Sequence, residues 1–225
     1  MSLKINTTTR TEDVANFSAS SILDQLRLGK HVLFFVTGGS SISVCVRIAE
    51  LLKAETNKDL IHNLTITLTD ERYGPVGHSD SNWQQLIDMG FDLPGALLIP
   101  ILTGDDRATT AEKFNKILNE EFMVAEYKIG LFGIGADGHT SGILPGSDAV
   151  KFEDLACGYD TPSFSRITMT PKAIEKLDEA VAWVQGENKW WVIKNLLEKD
   201  INITKQPAQI LKKVPLLTIF TDYTK

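Results

Sequence analysis

Asp137 and His139 stand two residues apart in the stretch Gly133-Ile134-Gly135-Ala136-Asp137-Gly138-His139-Thr140-Ser141-Gly142. Imidazole is the side chain whose charge changes nearest neutrality, so a loop histidine beside a carboxylate is equipped for general acid/base work. Glycine is used this densely where a backbone must take positive φ or approach a ligand closely. The plainer alternative is a tight strand-to-helix turn in which His139 is solvated or caps a helix, and a lone Asp-Gly-His does not separate the two.

Three further stretches carry residues of a kind that could serve the same ligand. Thr37-Gly38-Gly39-Ser40-Ser41 follows the apolar run Val32–Val36 and precedes an apolar helical pattern over 42–52. A strand, a Gly/Ser loop and a helix in that order present backbone N–H groups and a helix N-terminus to an anion. The loop is neither the GxGxxG nor the GxxxxGK[ST] pattern, so it does not point to a nucleotide, and a simple turn with Ser40 or Ser41 as N-cap is the competing reading. Asp70-Glu71-Arg72 follows the strand pattern Leu64–Leu68, a position where α/β sheets bind ligands, although a solvated turn has the same composition. Arg166 opens the strand pattern 166–170, and Lys189 falls in the first turn of a helix expected over 188–199. A cation there opposes the helix dipole, which implies a nearby anion.

The elements that must position these residues alternate along the chain. A helix is expected from Thr11, as its cap, to Gly29, as its stop, with Val14, Phe17, Ile22 and Leu26 at helical spacing. Strands are expected at 32–36, 64–68, 97–101, 129–132, 166–170, 180–184 and 216–220, and further helices at 42–52, 107–122, after Pro171, at 188–199 and as a turn at 207–211. The segment 74–82 reads as a polar loop able to close over a site, 152–164 as irregular, and Trp190 and Trp191 as packing. About seven strands alternating with helices predict an α/β fold: a doubly wound, mainly parallel sheet with helices on both faces, Rossmann-like, as a single domain over 1–225.

Composition narrows the function. The chain has 225 residues, 43% hydrophobic and 23% charged, the profile of a soluble globular protein. A net charge of −6 with no dense Lys/Arg block argues against a nucleic-acid surface. Two cysteines, Cys45 and Cys157, without CxxC spacing argue for a reducing compartment and against a zinc or disulfide framework. Residues 1–10 are polar, and no apolar run approaches the roughly 18 residues of a membrane span. A cytoplasmic protein without membrane or nucleic-acid partners is expected, as a monomer or weak homodimer. An anionic ligand would then need a local cationic cluster, for which Arg72, Arg166, Lys189 and the loop Gly38, Gly39, Ser40 and Ser41 are the candidates. With Asp70, Asp137 and His139 supplying proton transfer, the set matches a sugar phosphate.

In order and spacing, Thr37-Gly38-Gly39-Ser40, Asp70-Glu71-Arg72, Gly133 to Ser141, Arg166-Ile167-Thr168-Met169-Thr170 and Gly186-Glu187-Asn188-Lys189 resemble the 6-phosphogluconolactonase family, within the wider group shared with glucosamine-6-phosphate isomerase/deaminase. The resemblance spans nearly the whole chain. The deaminase branch is similar to Asp-Gly-His-Ile-Ala-Phe-Asn-Glu-Pro, whereas Leu144 stands here in place of that glutamate. Ser41-Ile42 replaces a usual Thr-Pro, and Gly142 a larger residue. The resemblance implies hydrolysis of 6-phospho-D-glucono-1,5-lactone in the oxidative pentose phosphate pathway without metal or organic cofactor. It implies His139 as the base that activates water, Asp137 or Asp70 as its orienting carboxylate, and Arg72, Arg166, Lys189 and the Gly38 to Ser41 backbone as phosphate ligands. Amino-sugar-phosphate isomerisation or deamination, and a sugar-phosphate-binding module without turnover, are the alternatives.

Overall fold

In the computed structural model, which describes residues 2–224, ten strands and six α-helices follow in the order β1 (Ser2–Thr7), α1 (Thr11–Arg27), β2 (Val32–Val36), α2 (Ile42–Lys53), β3 (Leu64–Leu68), β4 (Asp70–Arg72), α3 (Asn82–Asp88), β5 (Leu97–Leu98), α4 (Arg107–Val124), β6 (Tyr127–Gly133), β7 (Ala156–Asp160), β8 (Ser165–Met169), α5 (Pro171–Ile174), β9 (Glu179–Val184), α6 (Trp190–Glu198) and β10 (Leu216–Thr221). Met1, at the head of the expected polar terminus, and Lys225 lie outside the described residues.

Seven strands form one sheet in the order β1-β10-β9-β6-β2-β3-β5, with every pairing parallel. Strands covered on both faces need apolar residues at successive positions, and the run Val32–Val36 is buried at all five. Between β2 and β6 the winding reverses: the chain leaves β2 for β3 on one side and β6 for β9 on the other. Adjacent loops at such a reversal part and open a crevice at the carboxyl ends of the strands. The loop after β2 holds Gly38 to Ser41, and the loop after β6 holds Asp137 and His139.

A second sheet, β4-β8-β7, is antiparallel and stands over that end of the first. It corrects three expectations. The strand around 166–170 belongs to this small sheet rather than the parallel one, Asp70-Glu71-Arg72 is a strand rather than a turn, and the stretch read as irregular contains β7. Four elements differ at their limits. The expected polar terminus contributes the edge strand β1, because its backbone pairs with β10 although four of its six residues stay exposed. Strand β5 is only two residues long, and the segment 74–82 ends in the first residue of α3. At the start of α1 the cap position is Arg10, with no side-chain cap bond, and Thr11 is the first helical residue. One buried apolar cluster includes residues of both sheets, among them Phe132 and Val181 from the first and Ile167 and Met169 from the second.

Candidate active site

Where the carboxyl ends of β2 and β6 meet the small sheet there is a cleft with a cavity volume of about 190 Å³. Nine of the ten residues expected from sequence to form a site are brought together here. Gly38, Gly39, Ser40, Asp70, Arg72, His139, Arg166 and Lys189 line the cleft, and Asp137 is bonded to His139. Ser41 is buried at the N-cap of α2, and its hydroxyl makes no capping bond.

The loop after β2 turns through Gly39 at φ 65° and runs as one 3-10 turn, Gly39–Ser41, into α2. The first N–H groups of a helix have no intrahelical acceptor, which makes this border of the cleft suited to anions. Gly38 is required by a close approach, since a Cβ there would overlap the side-chain amide of Asn82.

The loop after β6 is closed on itself and tied down from outside. Gly135 N–H donates to the His139 carbonyl at 3.0 Å, and the Thr140 hydroxyl to the Gly133 carbonyl at 2.9 Å. Trp191 Nε1 donates to the Ala136 carbonyl at 3.0 Å, and Ala208 N–H to the Gly138 carbonyl at 2.9 Å. Asp137 Oδ1 accepts from the His139 backbone N–H at 3.1 Å and lies 2.5 Å from His139 Nδ1. A carboxylate accepts only, so Nδ1 carries the proton and Nε2 is the basic nitrogen. Partial burial pushes the Asp137 carboxyl up, but the backbone N–H and ring of His139 outweigh it and hold the carboxyl below its ordinary value.

The second aspartate is bonded elsewhere. Asp70 Oδ2 pairs with Arg166 Nη1 at 3.0 Å, with 7% and 14% of the two side chains exposed. The sequence left open which carboxylate faces the imidazole, and the bond is made by Asp137. Gly142, at φ 66°, leaves room for the other: a Cβ there would lie 2.5 Å from Asp70 Oδ2. Arg72 stands directly opposite Arg166 across the β4–β8 ladder and donates from Nη1 to the Asp80 carbonyl at 3.0 Å. Lys189 closes the 3-10 turn before α6 instead of lying in the first turn of the α-helix. Loss of hydration lowers its ammonium from the ordinary lysine value, and nearby Asp222 opposes the shift. Asp222 fixes this turn by accepting from Gly186 N–H at 3.0 Å and Trp190 Nε1 at 2.9 Å. The tryptophans therefore anchor the two loops rather than only pack.

Sequence reasoning did not single out Asn82, Glu71 or Tyr159. Asn82 lines the cleft and donates from Nδ2 to the Asp70 carbonyl at 2.9 Å. Glu71 is buried and accepts from the N–H groups of Arg72, Asn82 and Trp83 and from the Ser81 hydroxyl at 2.6 to 3.0 Å. Burial pushes its carboxyl up, against the lowering by these donors. It thereby locks α3, and Asn82 with it, to β4. Tyr159 on β7 donates to the Gly142 carbonyl and accepts from Leu144 N–H at 3.2 Å, bracing the far end of the loop after β6. Ser81 before Asn82, as the N-cap that holds Gln84 N–H at 3.1 Å, was the one available signal that α3 begins there. Among the described residues no three His, Cys, Asp or Glu side chains converge as metal ligands, and no helix is long and apolar enough to cross a membrane.

Three cations and one carboxylate line the cleft, with an imidazole-carboxylate pair at its rim. Fold and site together define a doubly wound α/β protein with a cation-lined crevice at its topological switch point. The chain belongs to the family of glucosamine-6-phosphate isomerases/6-phosphogluconolactonase, whose model matches residues 6–218. A 6-phosphogluconolactonase of Borreliella burgdorferi is 26% identical over 168 residues, covering 69% of this chain and 70% of that protein. One of Caulobacter vibrioides is 26% identical over 219 residues, covering 90% and 89%. The crystal structure of a 6-phosphogluconolactonase from Shewanella baltica superposes with a TM-score of 0.78 at 22% identity over 97% of each chain, a likeness that bears on the fold.

Proposed function

We infer that this chain hydrolyses 6-phospho-D-glucono-1,5-lactone to 6-phospho-D-gluconate, the reaction named by its curated relatives. The observation that carries the reading is the juxtaposition, in one cleft, of a proton-transfer pair and an excess of positive charge. The phosphate enters among Arg72, Arg166, Lys189 and the N-terminus of α2. A phosphate dianion matches the two positive charges left over after Asp70 is set against the three cations. His139 Nε2 takes a proton from water as its oxygen attacks the lactone carbonyl, and the proton returns to the ring oxygen as the ester C–O bond breaks. Asp137 keeps the ring in the required tautomer and stabilises its cationic form.

Asp70 acts through Arg166, which it holds at the cleft wall. The isomerase/deaminase reading lacks its glutamate: position 144 is Leu144, which lies outside the cleft lining. The acidic net charge and scattered cysteines favour a cytoplasmic enzyme that is a monomer or weak homodimer and has no nucleic-acid partner. The test is a hydrolysis assay on freshly generated lactone, corrected for spontaneous opening and coupled to 6-phosphogluconate oxidation. Acceleration is expected from the wild type; a rate equal to the uncatalysed one would overturn the assignment and leave a binding module.

A further inference from the structure

Two guanidinium groups face each other across the β4–β8 ladder, Arg72 opposite Arg166, and like charges so placed repel. Asp70 offsets only one of them, since it is the salt-bridge partner of Arg166 and Arg72 is bonded to a backbone carbonyl. Both Nε atoms are shut off from solvent and have no hydrogen-bond partner. What lies against both is a single ring. The centroid of Phe164 is 4.8 Å from the Arg72 guanidinium carbon and 5.4 Å from that of Arg166. Phe164 is half-buried and is not part of the cleft lining, which its two arginines join from the front.

The backbone that presents the ring is fixed. Phe164 N–H donates to the Thr161 hydroxyl at 3.0 Å, and Thr161 N–H and hydroxyl both donate to the Phe164 carbonyl at 2.8 Å. One residue on, the Ser165 carbonyl accepts from Tyr73 N–H at 2.8 Å, which ties this turn to the segment carrying Arg72.

We propose that Phe164 is the positioning residue of the anion clamp: its π face holds the Arg72 and Arg166 guanidinium planes side by side, with their Nη edges presented to the phosphate of the ligand. A ring face attracts each cation, most strongly where water is excluded, and so offsets the repulsion that would splay the pair in the empty cleft. The clamp then meets its anion without first ordering two long side chains, and such preorganisation is read as affinity. The inference rests on the phosphorylated ligand proposed above but not on its hydrolysis.

The test uses Phe164→Leu, which keeps apolar bulk and removes the π face, and Phe164→Tyr, which keeps the face. Phe164→Ile serves as a second apolar variant if the first does not fold. The readouts are the dissociation constant of 6-phosphogluconate by calorimetry, KM and kcat on the phosphorylated lactone, and kcat/KM on glucono-1,5-lactone, which has no phosphate. The leucine variant is expected to bind 6-phosphogluconate about 3- to 30-fold more weakly. Its KM should rise by a similar factor while kcat and the phosphate-free reaction stay unchanged, and the tyrosine variant should match the wild type. Unchanged binding by the leucine variant, equal loss in the tyrosine variant, or a loss shared by the phosphate-free lactone overturns the proposal, as does a wild type that does not bind 6-phosphogluconate. A wild type without lactonase activity that still binds 6-phosphogluconate through Phe164 removes the lactonase reading and leaves the clamp standing.

Discussion

Two aspartates serve the same cleft, Asp70 in its lining and Asp137 through its bond to His139, and they sit in opposite surroundings. Asp137 and His139 are neighbours in sequence on a loop, with 51% and 40% of their side chains exposed. Asp70 and Arg166 come from two strands of the small sheet and are almost entirely buried. Water reaches both members of the exposed pair. In the buried pair, removing one partner strands the other charge in a low dielectric. On the function proposed above, chemistry falls to the local pair and architecture to the distant one.

The sharpest way to break this division is to remove one member of each pair. His139→Ala is expected to lower kcat by about 10²- to 10⁴-fold if the imidazole is the base, with a melting temperature close to that of the wild type. Asp70→Ala should do the reverse to stability, costing about 3–5 kcal/mol as an unpaired guanidinium is left buried, measurable by urea denaturation. A His139 variant that unfolds, or an Asp70 variant as stable as the wild type, would erase the distinction.

The same contrast explains how much was legible in the sequence. Strands of the parallel sheet announce themselves as buried apolar runs such as Val32–Val36, and the switch-point loops as glycine clusters, because both signals are local. The small sheet has no such signature. Strand β4 reads Asp-Glu-Arg and looks like a solvated turn, yet Asp70 and Glu71 are buried because a salt bridge and four donated hydrogen bonds satisfy them. Three of the four donors to Glu71 lie 10 to 12 residues away, and the partner of Asp70 lies 96 residues away, out of reach of any periodicity. Asn82 was hidden for the same reason, its place being set by Glu71 and by the missing side chain of Gly38. Strand β1 was missed because an edge strand needs only backbone pairing and little apolar surface.

Where the two regions touch, Gly142 from the loop after β6 lies against Asp70 from the sheet, and a substitution there strains both. Gly142→Ala places a Cβ 2.5 Å from Asp70 Oδ2 at a φ of 66°, and a cost of about 1–3 kcal/mol is expected. Because Asp70 must shift, KM should rise along with the loss of stability. A variant with native stability and native KM would show that the loop and the sheet are independent after all.

The smallest effect separates a cation of the anion site from the fold by pH alone. Burial lowers the Lys189 ammonium from its ordinary value, so the folded chain gives up this proton at a lower pH than the unfolded chain. In the window between the lowered value and the ordinary one, the unfolded state binds more protons, and linkage makes the stability of the ligand-free protein rise with pH. Phosphate binding must run the other way, because it needs the charged ammonium: affinity for 6-phosphogluconate should fall across the same window. Calorimetric titrations and denaturation curves at a series of alkaline pH values measure the two slopes side by side. Lys189→Arg, whose guanidinium keeps its proton throughout, should flatten both. An affinity that does not fall across this window would mean that the Lys189 charge does not hold the ligand.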